Sequence, residues 1–424
     1  MSYVWPHYGQ SIYTMSDMTN VYNLAYLGQI FVGTNAQEFA VIWDTGSGSY
    51  LGRSTYCTTC DAATRKFDYS KSSTWSKQSP TKTKTVTYMD GTSLKGYYGT
   101  DRVCPTNVVG SCTNDFKFIA ISEATGLKSY EDGIIGLWSG NTNSISYDKT
   151  MMFVPEMVTD STITDKVFSW YMSGKAGKTY IDFGTPNSSI YDNAKLIYIP
   201  IKDNNYWWTN SITGVRWTKN SANRVEYKYT SSNALTDTGS SCIIGPAAMV
   251  DYFKNTILNT IPKVETHSSW DYQFDCSDAP TSSMPSFELL YGGYWFEVLP
   301  EDYIIEFNSS SKKCAVCLTA YSTIDYWILG DAFMRNLYSI HDYTNKKMGF
   351  VPYTGSVKTA PTLATSQPTT SPPNITVNIE MLIFGLTVME FIIVAVIVAV
   401  IVGVVVLVVI LCTVMNKQLK ASSQ

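Results

Sequence analysis

One four-residue turn occurs twice in this chain, and the repeat constrains the fold more than any other feature. The apolar run 40–43 leads into Asp44-Thr45-Gly46-Ser47, and the run 234–236 leads into Asp237-Thr238-Gly239-Ser240. An apolar run bounded by turn residues predicts a buried strand, so each Asp stands where a strand turns. A single Asp-Thr-Gly turn is ordinary loop chemistry. Two identical turns behind apolar runs indicate two halves that fold alike.

The residues of these turns suit two carboxylates held close together. Gly46 and Gly239 allow tight turns that bring backbone amides near the carboxylates, and the neighbouring hydroxyls can donate hydrogen bonds. If the turns meet, Asp44 and Asp237 cannot both ionise comfortably, so one of them keeps a proton. Such a pair can activate water as a base and protonate a substrate oxygen as an acid. In these residues the chain resembles the pepsin-like aspartic protease family.

The resemblance runs from about residue 20 to residue 353. It implies a mostly β, bilobal pepsin-like fold, with two similar β lobes and a central active-site cleft. It also implies an aspartic endopeptidase that hydrolyses peptide bonds at acidic pH, with Asp44 and Asp237 holding the catalytic water. Metals, cofactors and covalent intermediates play no part in that chemistry. The supporting residues would be those that follow each Asp, namely Thr45, Gly46, Ser47, Thr238, Gly239 and Ser240.

A second stretch predicts a hairpin that closes over the cleft. Two strand-like pieces flank the turn Tyr88-Met89-Asp90-Gly91, which is a hairpin signal. Tyr88 stands near the position of the family's flap tyrosine, so Tyr88, Asp90 and Gly91 are the predicted flap residues. Two residues depart from the family pattern. Met89 replaces the usual Gly, and Leu51 stands where the family has a Trp that hydrogen-bonds the flap tyrosine.

A further repeated pair consists of two apolar residues followed by Gly, within 132–137 and again within 327–331. This pattern is typical of core strands with a close backbone contact. In the resembling family such strands run beside the catalytic turns. Asp331 follows the second of them, and we interpret it as structural.

Composition excludes several function classes. The 424 residues carry a formal charge of −4, whereas nucleic-acid binding requires a basic face. Only three histidines occur, which is thin support for a Ser-His, Cys-His or His-ligated metal enzyme. The 30 Tyr and 11 Trp residues favour a β-rich fold. We expect a monomer whose partners are peptide or protein substrates and a lipid bilayer.

Nine cysteines are present, eight of them before residue 320, and an even set in the body of a secretory protein suggests disulfides. Two C-x-x-C pairs, 57–60 and 314–317, also allow a four-thiolate zinc site on paper. The family resemblance implies the pairs Cys57–Cys60 and Cys276–Cys314 instead. Cys104 and Cys112 would close a local hairpin, which leaves Cys242 and Cys317 to pair.

The two ends of the chain predict a membrane-anchored, type I topology. Residues 391–414 form an uncharged run long enough to cross a bilayer, and Lys417 and Lys420 follow it, which favours a cytosolic end. The catalytic part would then be luminal or extracellular, as a glycoprotein. Its candidate acceptor sites are Asn187, Asn308 and Asn374. No signal peptide is visible near residue 1, so we expect upstream residues with a signal sequence and a prosegment.

The predicted domain order follows from these features. It comprises an N-terminal segment 1–20 as a prosegment remnant, a first catalytic lobe 21–185, a second catalytic lobe 186–354, a Thr/Ser/Pro-rich stalk 355–380, a transmembrane helix 391–414 and a cytosolic tail 415–424. The alternative function is a catalytically inactive pepsin-like binding protein. Loss of either Asp would indicate it, and both are present.

Overall fold

The computed structural model describes most of the chain up to residue 370. The described residues are 13–21, 24–48, 51–60, 65–108, 110–128, 130–141, 148–174, 178–203, 205–218, 224–308, 310–321, 324–370, 382–383 and 386–387.

Strands dominate these residues, which confirms the predicted mostly β fold. In the first half they are β1 (Tyr13–Val21), β2 (Ala25–Val32), β3 (Gln37–Asp44), β4 (Leu51–Arg53), β5 (Ser76–Lys77), β6 (Thr83–Thr87), β7 (Ser93–Cys104), β8 (Thr113–Thr125), β9 (Gly133–Gly136), β10 (Val167–Met172), β11 (Thr179–Gly184) and β12 (Ile197–Pro200). In the second half they are β13 (Thr209–Thr218), β14 (Arg224–Thr236), β15 (Ile243–Pro246), β16 (Glu265–His267), β17 (Asp271–Asp275), β18 (Ser286–Tyr291), β19 (Tyr294–Val298), β20 (Ile304–Asn308), β21 (Lys313–Val316), β22 (Leu318–Tyr321), β23 (Trp327–Leu329), β24 (Leu337–Asp342), β25 (Lys347–Val351), β26 (Thr362–Leu363), β27 (Leu382–Ile383) and β28 (Leu386–Thr387).

Helices are few and short in the same residues. They are α1 (Phe153–Thr159), α2 (Ala247–Leu258), α3 (Pro300–Tyr303) and α4 (Asp331–Met334), together with single 3₁₀ turns. In α2 the apolar residues at helical spacing, among them Val250, Phe253 and Ile257, are buried. The helix therefore packs one apolar face against the core.

The largest sheet joins strands from the beginning, the middle and the end of the range 13–351. Its strand order is β12-β25-β24-β10-β11-β1-β2-β3-β9-β4-β8-β7-β5. Residues 13–20 of the predicted N-terminal segment therefore do not stand apart, because β1 pairs with both β11 and β2. Likewise β24, from the second predicted lobe, returns to pair with β10 of the first, and β25 joins β24 to β12. This sheet connects the two lobes.

The second large sheet repeats the arrangement around the first Asp. Its order is β22-β15-β23-β14-β13-β18-β19-β26. In the first sheet β3 runs parallel to β9, β9 antiparallel to β4, and β4 parallel to β8. In the second sheet β14, β23, β15 and β22 repeat the same directions. The predicted pair of similarly folded halves therefore appears in the strand topology itself.

Buried aromatic rings hold the strands that end in the two Asp-Thr-Gly turns. Trp43, the residue before Asp44, is fully buried and its ring packs 5.2 Å from Phe153 and 5.0 Å from Phe183. In the second half Trp327 is fully buried on β23, and a side chain on Gly245 would collide with its ring. Both carboxylates therefore extend from the close-packed core rather than from loose loops.

Four disulfides lie in the described residues. They are Cys57–Cys60, Cys104–Cys112, Cys242–Cys317 and Cys276–Cys314. The three predicted pairs are confirmed, and so is the remaining pair, Cys242–Cys317. Because these cysteines are bonded to one another, the two C-x-x-C pairs do not form a four-thiolate zinc site.

The first part of the predicted stalk lies on the second lobe. Thr362 and Leu363 form β26, which adds to the edge of β19. The ammonium group of Lys358 is fully buried, 3.0 Å from the Asp302 carboxylate, and donates to the carbonyls of Phe333 and Arg335. The Thr370 carbonyl accepts a hydrogen bond from the Lys228 amide. Composition alone could not indicate this docking, because the groups that hold the segment are distant from it in sequence.

No helix in the described part of the chain is long and apolar enough to span a bilayer. The predicted transmembrane helix 391–414 and tail 415–424 lie outside the described residues, as do residues 371–380 of the predicted stalk.

The connecting sheet contains a buried carboxyl group that makes stability depend on pH. Asp182 on β11 is fully buried and accepts a hydrogen bond of 2.8 Å from the Tyr338 hydroxyl. Burial raises the pKa of Asp182 to about 7 from an unfolded value near 3.8. Between these two pH values the native state binds one more proton than the unfolded state. The contribution of Asp182 to the free energy of unfolding is therefore fully present below about pH 4 and is lost as pH rises toward 7.

We expect Asp182→Asn to flatten that dependence. A shift of this size corresponds to at most about 4 kcal/mol of unfolding free energy, and a neutral amide has no proton to lose. Denaturant unfolding at pH 4, 5.5 and 7 measures the effect. Buried His341, whose pKa is lowered to about 3 by burial, acts in the opposite direction below pH 6.5 and should be unchanged in the variant. Equal slopes for wild type and variant would contradict the assignment.

Candidate active site

The structure brings the two Asp-Thr-Gly turns face to face. Asp44 is the last residue of β3 and Asp237 directly follows β14, so both project from the ends of corresponding strands. A side chain built on Gly46 would collide with the Asp237 carboxylate, and one on Gly239 would collide with the Asp44 carboxylate. Each glycine is therefore required by the close approach of the opposite turn.

The backbone amides of these glycines contact the carboxylates of their own turns. The Gly46 amide donates to Asp44 Oδ1 at 2.8 Å, and the Gly239 amide donates to Asp237 Oδ1 at 2.9 Å. The Ser240 hydroxyl donates to the other oxygen of Asp237 at 2.9 Å. Its counterpart, the Ser47 hydroxyl, is buried without a hydrogen bond of ordinary geometry among the described residues. The two turns are thus similar but not identical.

Crossed hydrogen bonds between the two threonines join the turns. The Thr45 amide donates to Thr238 Oγ1 and the Thr238 amide donates to Thr45 Oγ1, both at 3.0 Å. Each hydroxyl then donates to a carbonyl of the opposite strand, Thr45 to Thr236 and Thr238 to Trp43. Both threonines are fully buried or nearly so, so these bonds are shielded from competing water and hold the turns in register.

The neighbouring strands complete each turn. The Leu137 amide, just after β9, donates to the Asp44 carbonyl at 2.6 Å, and the Asp237 amide donates to the Leu329 carbonyl of β23 at 3.1 Å. The two Gly-bearing segments therefore run beside the turns, as the resemblance implies. The amide of Asp331 donates to the Ser240 carbonyl at 2.8 Å, which is a supporting contact.

The electrostatics of the pair favour a retained proton. Burial raises the pKa of Asp44 well above its ordinary value, and the facing Asp237 carboxylate raises it further. The nearby Ser47 hydroxyl and the Gly46 amide lower it, but by less. A pair of facing carboxyl groups that holds one proton can donate and accept a proton in one step.

The predicted hairpin is confirmed. Strands β6 and β7 are antiparallel with Thr87 opposite Ser93, and residues 88–92 form the connecting tip, which we call the flap. Two hydrogen bonds hold the turn of this hairpin. The Tyr88 amide donates to the Thr92 carbonyl at 2.8 Å, and the Asp90 carboxylate accepts from the Thr92 amide at 2.9 Å. Gly91 has a φ of +85°, a conformation that favours glycine.

Tyr88, at the start of the flap, lies near the Asp44 turn. Its ring packs against a small apolar cluster in the first lobe. Its hydroxyl is buried without a hydrogen bond of ordinary geometry among the described residues. Burial raises the pKa of Tyr88, and the Asp44 charge raises it further while the Ser47 hydroxyl lowers it. The side chain of Leu51, where the family has its tryptophan, lies outside the described residues.

We expect Tyr88→Ala to lower kcat/KM roughly tenfold to a hundredfold and Tyr88→Phe to lower it less than threefold. The ring supplies the packed contact, and a loss in that range corresponds to about 1.4–2.7 kcal/mol, whereas a hydroxyl without a hydrogen bond of ordinary geometry contributes little. Steady-state hydrolysis of one peptide by both variants measures this difference. Equal, large losses would reveal a partner for the hydroxyl in the substrate complex.

Two tryptophans at the site had no signal in the sequence pattern. The Trp207 indole donates to the Gly46 carbonyl at 2.8 Å, and the Trp208 indole donates to the Leu137 carbonyl at 2.7 Å. Both lie between β12 and β13, far from either turn in sequence. At the flap, the Tyr326 hydroxyl of the second lobe approaches Met89 Sδ at 3.7 Å.

The candidate glycosylation sites differ in setting. Asn308 is exposed, and Asn187 is half-buried with its side-chain oxygen accepting from the Ser189 amide. Asn374 lies outside the described residues.

Comparison with known proteins agrees with this geometry. The family model described as "Eukaryotic aspartyl protease" matches residues 25–353. Similar proteins include vacuolar protease A of Neurospora crassa, which is 30% identical over 77% of this chain and 78% of its own length. Cathepsin E of Aquarana catesbeiana is 26% identical over 83% of this chain and 88% of its own length. Gastricsin of Homo sapiens is 28% identical over 77% of this chain and 81% of its own length. With both aspartate turns inside the matched region, the chain belongs to the eukaryotic aspartyl protease family, whose members are peptidases of the pepsin type.

Proposed function

We propose that this protein is an aspartic endopeptidase in which Asp44 and Asp237 activate a water molecule. The observation that carries the proposal is the close approach of the two carboxylates, where each turn's glycine leaves room only for the opposite Asp. The substrates would be peptides or proteins, as in the family.

The chain's own residues account for each proton transfer. Asp237, ionised, takes a proton from water as the oxygen attacks the peptide carbonyl carbon, while protonated Asp44 gives its proton to the carbonyl oxygen. The resulting tetrahedral diol breaks its C–N bond when Asp237 returns the proton to the leaving nitrogen. Asp44 then recovers a proton from the diol, which restores the starting state. The crossed threonine bonds limit reorganisation during these steps, because they keep the carboxylates in place.

Activity is expected to follow a bell-shaped pH profile with an acidic maximum. The reactive form carries one proton on the pair, and the pair titrates with two apparent pKa values. Because the pKa of Asp44 is raised well above its ordinary value, the alkaline limb of the profile should fall only as pH rises through the upper of the two values. Initial rates on a peptide library from pH 2 to 8, with and without pepstatin, measure this. A rate that still climbs at pH 8, or that ignores pepstatin, would contradict the proposal.

The same assay distinguishes a peptidase from the alternative function. An inactive pepsin-like binding protein would bind peptide or pepstatin without any turnover at any pH. A protein that binds pepstatin but leaves every peptide intact would therefore support that alternative.

We further propose a luminal or extracellular position for the catalytic part, with 391–414 as its membrane anchor. Four disulfides support an oxidising compartment, and one similar protein is named for the vacuole. Membrane extraction by carbonate and by detergent, together with endoglycosidase digestion, tests both parts. Release by carbonate would contradict the anchor, and absence of glycan at all three acceptors would argue against the luminal position.

A further inference from the structure

A short segment of the second lobe reaches across to the first catalytic turn. It comprises residues 205–208, between β12 and β13, and we call it the bridging segment. The Ser139 amide donates to the Tyr206 carbonyl at 2.9 Å, and the Trp208 indole donates to the Leu137 carbonyl at 2.7 Å. Trp208 is fully buried. The bridging segment is therefore anchored to the chain that follows β9, directly beside the Asp44 turn.

Trp207 extends from this anchored segment to the turn itself. Its half-buried side chain donates through Nε1 to the Gly46 carbonyl at 2.8 Å. Its ring lies 5.8 Å from the Tyr206 ring, which in turn lies 6.2 Å from the Trp138 ring. The backbone of Gly48 lies close to the Trp138 ring, because a side chain at Gly48 would collide with that ring. An aromatic row thus borders the turn from Gly46 to Gly48.

The turn needs such a contact because of the glycine at its centre. Gly46 must lack a side chain, since the Asp237 carboxylate occupies that space. Glycine has more accessible backbone conformations than any other residue, so it cannot hold a geometry unaided. Yet the Gly46 amide has to point at Asp44 Oδ1, 2.8 Å away. A hydrogen-bond donor held by the opposite lobe restricts the backbone conformation of Gly46 by fixing its carbonyl group.

We propose that Trp207 is a positioning residue for the reaction, whose indole holds the Gly46 turn in the conformation that orients Asp44 toward Asp237. The inference rests on the proposed dyad and deepens it, because it makes the geometry of the first turn depend on a residue carried by the second lobe. Trp207 would act through Gly46 rather than by contacting the reacting atoms.

The direct test is Trp207→Phe in the full chain, which keeps a ring and removes the N–H donor. We expect kcat to fall about tenfold to a hundredfold, because a small misplacement of a catalytic group costs that much, and KM to stay within about threefold. Trp217→Phe is the matched control: Trp217 is a buried tryptophan, remote from both Asp-Thr-Gly turns in sequence, whose indole nitrogen makes no hydrogen bond of ordinary geometry among the described residues. Its kcat should stay within about twofold of wild type.

The pH profile gives a readout that a general packing loss would not produce. The Gly46 amide lowers the pKa of Asp44, so a loosened turn should raise that pKa and move the alkaline limb of the profile to higher pH. An unchanged limb with unchanged kcat in Trp207→Phe overturns the inference. An equal loss of kcat in Trp217→Phe also overturns it, since the effect would then come from lost packing.

Failure of the proposed function can be told apart from failure of this inference. If the wild type hydrolyses peptides and Asp44→Asn does not, the dyad stands whatever Trp207→Phe shows. If the wild type hydrolyses nothing, the dyad proposal fails, and the Asp44 carboxyl carbon can still be followed by NMR during a pH titration. A higher midpoint in Trp207→Phe than in wild type supports the positioning contact, and equal midpoints overturn it.

Discussion

Asp44→Asn and Asp237→Asn should each reduce peptide hydrolysis by about four to six orders of magnitude while leaving the protein folded. Losses of this size are typical when one member of a catalytic unit is removed. Each side chain serves as acid in one half of the reaction and as base in the other, so its amide can do neither. The double variant should lose little more than either single one, because the two groups act together.

The structure indicates why these variants should still fold. Asn has nearly the same shape as Asp, and its side-chain oxygen can accept the hydrogen bond that the Gly46 or Gly239 amide now gives to the carboxylate. Replacing one of two facing carboxylates also removes their repulsion. Thermal unfolding midpoints at or above that of wild type are therefore expected.

Asp115→Asn provides the matched control for this experiment. Asp115 is exposed and has a φ of +42°, a conformation that Asn tolerates as well as Asp. It should keep wild-type turnover. Single-turnover and steady-state rates are measured on the best library peptide, over pH 2 to 8, for wild type, the two single variants, the double variant and the control. Turnover above about 1% of wild type in either dyad variant would exclude the proposed chemistry.

Lys358→Ala should lower the unfolding free energy by about 3–5 kcal/mol, the range for breaking a buried ion pair by removing one partner. The Lys358 ammonium and the Asp302 carboxylate are both shielded from water, 3.0 Å apart. Without the lysine, Asp302 keeps neutral donors, the Asn336 side chain at 2.9 Å and the Leu299 amide at 3.1 Å, but loses its paired cation. The carbonyls of Phe333 and Arg335 would lose their donor as well.

A comparison with an exposed ion pair tests the physical reason. Lys71 pairs with Asp68 at 3.2 Å, and two thirds of the Lys71 side chain is exposed. Lys71→Ala should therefore cost less than about 1 kcal/mol. Denaturant unfolding of the two variants and wild type at one pH gives both values. A loss below 1 kcal/mol for Lys358→Ala would mean that residues 355–370 are not held by this pair.

The sequence by itself was sufficient for the features that depend on neighbouring residues. An apolar run that ends in Asp-Thr-Gly-Ser indicates a buried strand and a tight turn wherever it occurs, and its repetition indicated both candidate aspartates. The flap hairpin follows in the same way, because Asp90 and Gly91 form their turn through local contacts. The resemblance to the pepsin-like family added the pairs Cys57–Cys60 and Cys276–Cys314, and the structure contains both.

Only the tertiary structure decided which distant groups meet. The crossed bonds between Thr45 and Thr238 join residues from opposite halves of the chain, so local sequence carries no measure of their distance. The Trp207 indole donates to the Gly46 carbonyl because strand pairing brings the bridging segment beside the Asp44 turn. The residues next to Trp207 in sequence give no sign of that role. Lys358 stands in a polar, proline-containing stretch that composition predicts to be an exposed stalk. Its burial depends on an anion, Asp302, that the fold of the second lobe places within reach. Local patterns encode backbone conformation, whereas the partners of a polar group are determined by the whole folded chain.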